Sequence, residues 1–295
     1  NLNTKPGWKL TISVPENISP ELMQLNIACN LGSDSAVQAV SVVKDFDTDF
    51  YMLHMSDQHV VYKTAVAPDG TGPGQNPLAW TNFAGTQDAL EWTTEPVNLI
   101  NPRFIAVTGD NMTIYKGTNI WLEAVEAQNV INRYKAGIAG YQVPLIITNG
   151  NHDCGYDNWA DVAVWRKMYE EQIGPRVFSR YLGKFYVLAM EWTTTQYLNW
   201  AKQSWAEAQA DATLGFRLLL NHSNTTAVPA ANTQIAAAEN PADLYLVGHG
   251  HSIVIKQKTP FYILQAPSMH SYYRAPFHNF VKSGDKWTCP GKETY

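Results

Sequence analysis

The 295-residue chain is poor in cysteine, in long apolar runs and in charge. Its three cysteines, Cys29, Cys154 and Cys289, exclude a dense disulfide framework and leave only a single bridge open. No apolar run of about 18 residues occurs, so we expect no transmembrane segment. Charged residues make up 16% of the chain and the formal net charge is −5, unlike the basic surfaces that bind nucleic acid. We therefore expect no long nucleic acid as a partner.

The composition indicates a globular protein with a sizeable core. A hydrophobic content of 45% over 295 residues suffices for one big domain or two small ones. Tryptophan, with 10 residues, asparagine and threonine are frequent, whereas charges are few. This composition is more typical of a secreted or periplasmic protein than of a cytosolic one, and we expect such a location.

Five short polar clusters follow apolar segments of the chain. In chain order they are Ser56-Asp57-Gln58-His59, Thr108-Gly109-Asp110-Asn111, Asn149-Gly150-Asn151-His152-Asp153, Asn221-His222 and Gly248-His249-Gly250-His251. Each cluster offers imidazole nitrogen, carboxylate oxygen or amide oxygen, which are ligands that suit zinc, manganese or iron. Together the clusters predict a metal site.

Each cluster also has a structural explanation when it is considered alone. A single histidine such as His222 is more often a hydrogen-bonded core residue, and Asp57 with His59 could cap a strand or a turn. The glycines around His249 and His251 let both rings face one point, but the segment could also be a loop. The joint pattern favours a site, because five independent accidents at successive strand ends are far rarer than one shared cause.

The apolar segments before the clusters predict buried strands. They span residues 50–55, 103–108, 143–148, 216–220 and 243–247. Helical periodicity lies between them, most clearly over 119–136 and also over 87–99, 159–172, 196–210 and 230–239. This alternation predicts an α/β fold with a largely parallel sheet, whose ligands belong at the carboxyl ends of the strands.

The ordered set of Asp-x-His, Gly-Asp, Gly-Asn-His-Asp, a lone histidine and Gly-His-x-His resembles the calcineurin-like metallophosphoesterases, over about residues 48–287. The resemblance implies a four-layer α/β/β/α sandwich that carries two metal ions drawn from iron, zinc and manganese. It also implies seven ligands: Asp57, His59 and His251 for the first ion, Asn151, His222 and His249 for the second, and Asp110 bridging both. The chemistry agrees, because a carboxylate has two oxygens and can join two cations.

The resemblance predicts metal-dependent hydrolysis of small phosphoric esters by a hydroxide that bridges the two ions. We favour phosphodiesters over monoesters, because no cluster of arginine or lysine surrounds the motifs to neutralise a dianion. The alternative is a non-catalytic binding module that retains the fold, which would be expected to lack ligands, and none is missing. A mononuclear zinc peptidase is disfavoured because the chain has no His-Glu-x-x-His motif.

Three further residues are candidates for contact with the substrate. By the resemblance, His152 donates a proton to the leaving oxygen or stabilises its charge, a role that suits an imidazole. Many relatives orient this histidine with an aspartate three residues after the bridging one, but Thr113 stands there and leaves the orientation of His152 open. Asn111 could contact a phosphate oxygen or be a turn residue. Arg274 could pair with a phosphate or form a surface salt bridge.

Residues 1–47 precede the resemblance and contain short β segments, predicted over 9–14, 23–29 and 37–43. They are too few for an immunoglobulin-type sandwich of about 100 residues. We interpret them as an added sheet or the remnant of an accessory domain, with residues 48–295 as the catalytic domain. An insertion over 61–97 carries aromatic residues that could line the site or pack in the core.

Overall fold

A computed structural model describes residues 13–43, 45–46, 49–60, 86–117, 120–156, 158–192, 197–223, 242–258, 261–267, 281–283 and 286–288. The helices in these ranges are α1 (Thr86–Ile100), α2 (Ala124–Ile138), α3 (Asn151–Cys154), α4 (Val162–Gln172) and α5 (Leu198–Ala210). The strands are β1 (Glu21–Cys29), β2 (Gly32–Val42), β3 (Met52–Met55), β4 (Phe104–Thr108), β5 (Tyr115–Gly117), β6 (Ile120–Trp121), β7 (Leu145–Thr148), β8 (Phe178–Leu182), β9 (Phe185–Ala189), β10 (Phe216–Leu220), β11 (Leu244–Val247), β12 (Val254–Lys258), β13 (Phe261–Gln265), β14 (Val281–Ser283) and β15 (Lys286–Thr288).

A three-stranded parallel sheet has the order β3-β4-β7. Every residue of the central strand β4 is buried, as expected of an uncharged strand that is covered on both faces. The register pairs Met55 with Val107 and Thr108 with Thr148, so the three carboxyl ends lie at one edge. The polar clusters after these strands therefore leave the sheet side by side.

A six-stranded sheet has the order β12-β13-β11-β10-β9-β8. Its four inner strands are parallel, and its two edge strands, β12 and β8, are antiparallel to their neighbours. The edge strand β8 reverses because a short hairpin joins it to β9 at Gly183, whose φ of +56° suits a glycine. The parallel arrangement predicted from the sequence is thus present, divided between two sheets.

The two sheets share an apolar core. Phe104 and Ala106 of β4 pack with Val187 of β9, Leu218 of β10 and Leu246 of β11. On the far face of the small sheet, Ile105 and Val107 pack with Val97 of α1 and with Tyr141 and Val143. On the far face of the large sheet, α5 supplies Ala201, Trp205 and Ala208 to a core with Leu219 and Tyr245.

This packing confirms the mixed α/β fold class. Helices cover the outer face of each sheet, and the inner faces of the two sheets meet. The complete four-layer sandwich stays a prediction, since segments 61–85, 224–241 and 268–280 lie outside the described residues.

The five predicted strands and the helices α1, α4 and α5 are confirmed, and the predicted helix over 230–239 lies outside the described residues. The prediction that a helix starts at residue 119 is wrong, because Ile120 and Trp121 form β6 and pair with β5. The helix α2 begins at Ala124. Its start is capped by Glu126, whose side chain accepts a hydrogen bond from the backbone N–H of Glu123 at 2.9 Å. The apolar residues before this cap have a helix-like spacing, so the sequence pattern did not reveal where the helix begins.

The N-terminal region contains the antiparallel hairpin β1–β2. Its second strand begins at Gly32, earlier than the predicted residue 37, because it pairs with β1 as far as Cys29. Gln38 Nε2 donates to the carbonyl oxygens of Ala139 and Tyr141, at 3.1 Å each, and so joins the hairpin to the end of α2. The predicted strand over 9–14 lies mostly outside the described residues.

Cys29 is exposed, Cys154 is buried, and both are free thiols, so no bridge joins them. Cys289 lies outside the described residues. None of the described helices combines the length and the apolar character that crossing a bilayer requires.

His54 on β3 is half-buried and lies beside the second polar cluster. Its Nε2 lies 2.8 Å from Thr108 Oγ1. Burial lowers the pKa of His54 to about 4, against the attraction of Asp57. The folded state therefore resists protonation that the unfolded chain accepts near its ordinary pKa of 6.5.

We expect His54→Gln to reduce the acid sensitivity of folding. Because the folded pKa is depressed, the contribution of His54 is fully present above pH 6.5 and is lost as the pH falls toward 4. At pH 5 the loss is about 2 kcal/mol. Urea unfolding at pH 7 and pH 5 should show a smaller drop in the free energy of unfolding for the variant. Equal drops in both proteins would contradict this role of His54.

Candidate metal centre

The polar clusters meet where the carboxyl ends of β3, β4, β7, β10 and β11 face one another. Backbone hydrogen bonds join the segments that leave these strands. Asp57 N donates to Gly109 O at 3.0 Å and His59 N to Asp110 O at 2.8 Å. Gly248 N donates to His222 O at 2.8 Å. The side chains are thus held by an ordered backbone framework.

A first group contains Asp57, His59, Asp110 and His251, whose potential ligand atoms all lie within 4.8 Å of one another. His251 Nε2 lies 3.1 Å from Asp57 Oδ1 and 3.2 Å from His59 Nε2. Asp57 and Asp110 are at most 1% exposed. Two buried carboxylates and two imidazoles around one point are a donor set that suits a divalent cation.

A second group contains Asp110, His222 and His249. His222 Nε2 lies 3.0 Å from Asp110 Oδ2 and 3.2 Å from His249 Nδ1. His222 Nδ1 lies 2.7 Å from Thr108 O, so this nitrogen donates and Nε2 faces the group. Asp110 belongs to both groups and is the residue that joins them.

Asn151, the seventh predicted ligand, begins α3 directly beside Asp110. Its side chain is buried, and among the described residues its Oδ1 has no hydrogen-bond partner. Buried polar atoms without a partner are rare, and a carbonyl oxygen in this state is suited to coordinate a cation. The donor atoms of these residues therefore suit a pair of metal ions, and so does the unpartnered Oδ1 of Asn151.

Backbone strain concentrates at the same residues. Five predicted ligands have positive φ, between 48° and 67°: Asp57, His59, Asp110, His249 and His251. For residues other than glycine this conformation is unfavourable, and it persists where the surrounding structure imposes it. The positive φ values indicate that the surrounding structure holds these five residues in place.

Two glycines of the motifs allow the backbone to approach the carboxylates. A Cβ at Gly150 would overlap Asp110 Oδ1, and a Cβ at Gly248 would overlap Ser56 Oγ. Because nothing larger than hydrogen fits at these positions, the glycines are required by close contact.

The groups attract positive charge. Burial alone would raise the pKa of Asp110, but the nearby His222, His152 and His59 hold it well below its usual value. Burial likewise opposes a charged His222, yet Asp110 raises the pKa of His222 to about 9. The buried carboxylate of Asp110 thus stabilises positive charge on the groups beside it.

His152 occupies the side of the centre next to Asp110. Its Nε2 lies 4.0 Å from Asp110 Oδ2, and its ring stacks on Tyr115 at 4.8 Å. Burial lowers the pKa of His152 to about 4 despite the attraction of Asp110. Thr113 Oγ1 lies 3.2 Å from His152 Nδ1, so a hydroxyl stands beside the ring whose orientation the sequence left open.

Asn111 is placed differently from its predicted role. The side chain is buried, and its two amide N–H groups donate to Thr148 O at 2.8 Å and Asp153 Oδ2 at 3.0 Å. Tyr134 donates to its Oδ1 at 3.3 Å. With both donors engaged, Asn111 supports the site from within the core, and we do not retain it as a substrate contact. Arg274 lies outside the described residues.

Sequence reasoning gave no role to Asp153, which connects two of the polar clusters. Its carboxylate accepts from Gly150 N at 2.7 Å, Met112 N at 2.8 Å and both the backbone and the side chain of Asn111. Burial and repulsion by Asp110 raise the pKa of Asp153 to about 7, against these N–H groups. The sequence shows Asp153 directly after Asn151 and His152, but it does not show which N–H groups donate to its carboxylate.

Trp192 was also not identified from the sequence. It is 5% exposed, and its ring centre lies 5.0 Å from that of His249 and 5.7 Å from that of His222. It therefore limits the space behind these two imidazoles.

Comparisons with known proteins agree with the fold. The family model of the calcineurin-like phosphoesterases matches residues 50–252. A dimetal phosphatase from Danio rerio is similar in structure, with a TM-score of 0.54 and 10% identity over 75% of this chain and 88% of that one. A putative 5'-nucleotidase from Staphylococcus aureus has a TM-score of 0.45 and 13% identity over 74% of this chain and 48% of that one. No curated protein sequence matches the chain.

We expect Asp153→Asn to destabilise the protein and weaken metal binding. The new amide would point hydrogens at a backbone N–H, which costs about 1–3 kcal/mol in a buried site. Displacement of the clusters should lower zinc affinity about 10–100-fold. Urea unfolding and calorimetric zinc titration measure the two effects.

The matched control for this variant is Asp34→Asn on the hairpin, where the exposed carboxylate accepts, within the described ranges, from the adjacent Ser35 N alone. It should leave both quantities unchanged. Wild-type stability and zinc affinity in Asp153→Asn would show that Asp153 does not hold the clusters together.

Proposed function

The chain belongs to the calcineurin-like phosphoesterase family, and from this premise we propose that it hydrolyses phosphoric esters at a dinuclear metal centre formed by the polar clusters. The observation that carries the proposal is the convergence of two potential ligand groups that share Asp110. Family membership supports metal-dependent phosphoester hydrolysis as the reaction class.

The ligand assignment follows the two groups. Asp57, His59 and His251 would hold one ion, and His222 and His249 with Asn151 would hold the other. Asp110 would contact both, because its Oδ2 lies 3.0 Å from His222 Nε2 and 3.7 Å from His59 Nε2. Iron, zinc and manganese all accept this mixture of nitrogen and oxygen.

When bound, such a metal pair supplies a nucleophilic water at neutral pH and positive charge for the phosphoryl oxygens. The protein contributes the positions of the groups around it. Asp110 Oδ1 accepts from His152 N at 2.8 Å, which couples the bridging carboxylate to the candidate acid. The side chain of His152 is 16% exposed, so it can contact a substrate. We assign it to the leaving oxygen.

Phosphodiesters are the favoured substrates. The contacts of the candidate ligands and His152 given above include no lysine or arginine, so this described part of the site offers little beyond the metals to neutralise a second phosphate charge. A diester carries one negative charge, whereas a monoester carries nearly two at neutral pH. The charge balance of the site therefore suits the diester.

The division of the chain follows the family match. The match begins at residue 50, after the hairpin β1–β2. We infer that residues 48–295 form the catalytic unit and that residues 1–47 are an addition to it. A secreted or periplasmic location remains our proposal from composition.

We expect the purified protein to hydrolyse aryl phosphate esters with manganese or zinc and to lose activity with a chelator. Asp110→Asn should reduce kcat/KM at least about 100-fold, because loss of the shared carboxylate removes several kcal/mol of transition-state stabilisation. Metal analysis of the same variant should show fewer than two ions per chain. Asp34→Asn is the control and should match the wild type in both measurements.

Full metal loading without turnover of any ester would favour the non-catalytic binding module. A kcat/KM of Asp110→Asn equal to that of the wild type would contradict the proposed metal centre.

We expect kcat/KM for bis(p-nitrophenyl) phosphate to exceed that for p-nitrophenyl phosphate. The two esters release the same alcohol, so leaving-group chemistry is matched and the charge of the substrate is the main difference. Steady-state assays at saturating metal decide the order. A higher value for the monoester would reject the diester preference and leave the hydrolase intact.

A further inference from the structure

The hydroxyl of Thr113 lies between two imidazole rings. Its Oγ1 is 3.4 Å from His59 Nδ1 and 3.2 Å from His152 Nδ1, and the residue is 3% exposed. We propose that Thr113 is a positioning residue that holds His152 as the neutral tautomer with its proton on Nε2. The inference rests on the proposed function, because His152 then presents a hydrogen-bond donor to the phosphoester.

The first step concerns His59. Its Nε2 faces the first ligand group, at 3.2 Å from His251 Nε2 and 3.7 Å from Asp110 Oδ2. A nitrogen that binds a cation uses its lone pair, so the ring proton of His59 is on Nδ1. Nδ1–H then donates to Thr113 Oγ1.

The second step concerns the single proton of the Thr113 hydroxyl. One of its lone pairs accepts from His59, and the O–H is left to donate. Among the described residues, the hydrogen-bond partners of Oγ1 are these two rings alone. The O–H therefore donates to His152 Nδ1, since the reverse direction would leave a buried hydroxyl proton without an acceptor.

The third step concerns the other side of His152. With Nδ1 accepting, the proton of the neutral ring lies on Nε2, the nitrogen that is 4.0 Å from Asp110 Oδ2 and so faces the centre. The plane of the ring is held by the stack on Tyr115, with 28° between the two planes. Tautomer and ring plane are therefore set by different neighbours.

A carboxylate at position 113 would give the opposite polarity. It would accept from His152 Nδ1–H, and Nε2 would then need a second proton before it could donate. The hydroxyl of Thr113 donates instead, so that a neutral His152 already carries N–H toward the substrate.

The first test reads the tautomer directly. Ring ¹⁵N shifts of the zinc-loaded protein, labelled at histidine and assigned with His152→Ala, should show an unprotonated Nδ1 and a protonated Nε2 for His152. Thr113→Val, which has the same shape without the hydroxyl, should show a mixture of tautomers. Thr113→Ser should restore the wild-type pattern. A protonated Nδ1 in the wild type, or an unchanged ring in Thr113→Val, overturns the proposal.

The second test asks whether Thr113 acts through His152 in turnover. At saturating metal, Thr113→Val should lower kcat about 10–100-fold with KM little changed, and Thr113→Ser should recover most of the loss. In a His152→Ala background the same change should cost little further, because the ring it positions is gone. An equal cost in both backgrounds would place its effect at His59 and reject the proposal.

The metal content of each variant is measured as well, because a variant that has lost its ions would lose activity for a reason unrelated to the position of His152. A wild-type protein that turns over no ester would defeat the proposed hydrolase, while the nitrogen shifts would still decide the tautomer.

Discussion

The structure depends most on how the fold accommodates the buried carboxylate of Asp110. A charge in this environment costs several kcal/mol unless partners compensate it. The compensation comes from His222 Nε2 at 3.0 Å and from the backbone N–H of His152 at 2.8 Å. These partners follow β10 and β7, whereas Asp110 follows β4. One side chain therefore fixes three strand ends relative to one another, across both sheets.

The apolar core shared by the two sheets makes this arrangement possible. Phe104 and Ala106 on one side pack against Leu218 and Leu246 on the other, below the strand ends that carry the candidate ligands. A rigid core of this kind can hold the positive φ values of the ligand residues, each of which costs about 1–3 kcal/mol when a residue other than glycine adopts it. Stability gained by burial between the sheets is thus used to position the ligands.

Much of the fold and the convergence of the site could be predicted, because a continuous apolar run that ends in a polar cluster is typical of a buried strand leading into a site. The start of α2 could not, since Ile120 and Trp121 fit a helical spacing while their pairing with β5 depends on the fold. Asn111 has the same appearance in sequence whether it faces a substrate or the core. The role of Asp153 depends on N–H groups more than forty positions away, which spacing alone does not reveal.

The residue at position 113 shows how charge limits such a site. Asp57 and Asp110 belong to the two ligand groups and Asp153 lies next to them, and all three carboxylates are fully or nearly fully buried. A fourth carboxylate beside His59 and His152 would add repulsion where burial and Asp110 already raise the pKa of Asp153 to about 7. A threonine hydroxyl orients an imidazole without adding charge. The histidine is thus positioned by a neutral group, and the carboxylates that remain are available to bind cations.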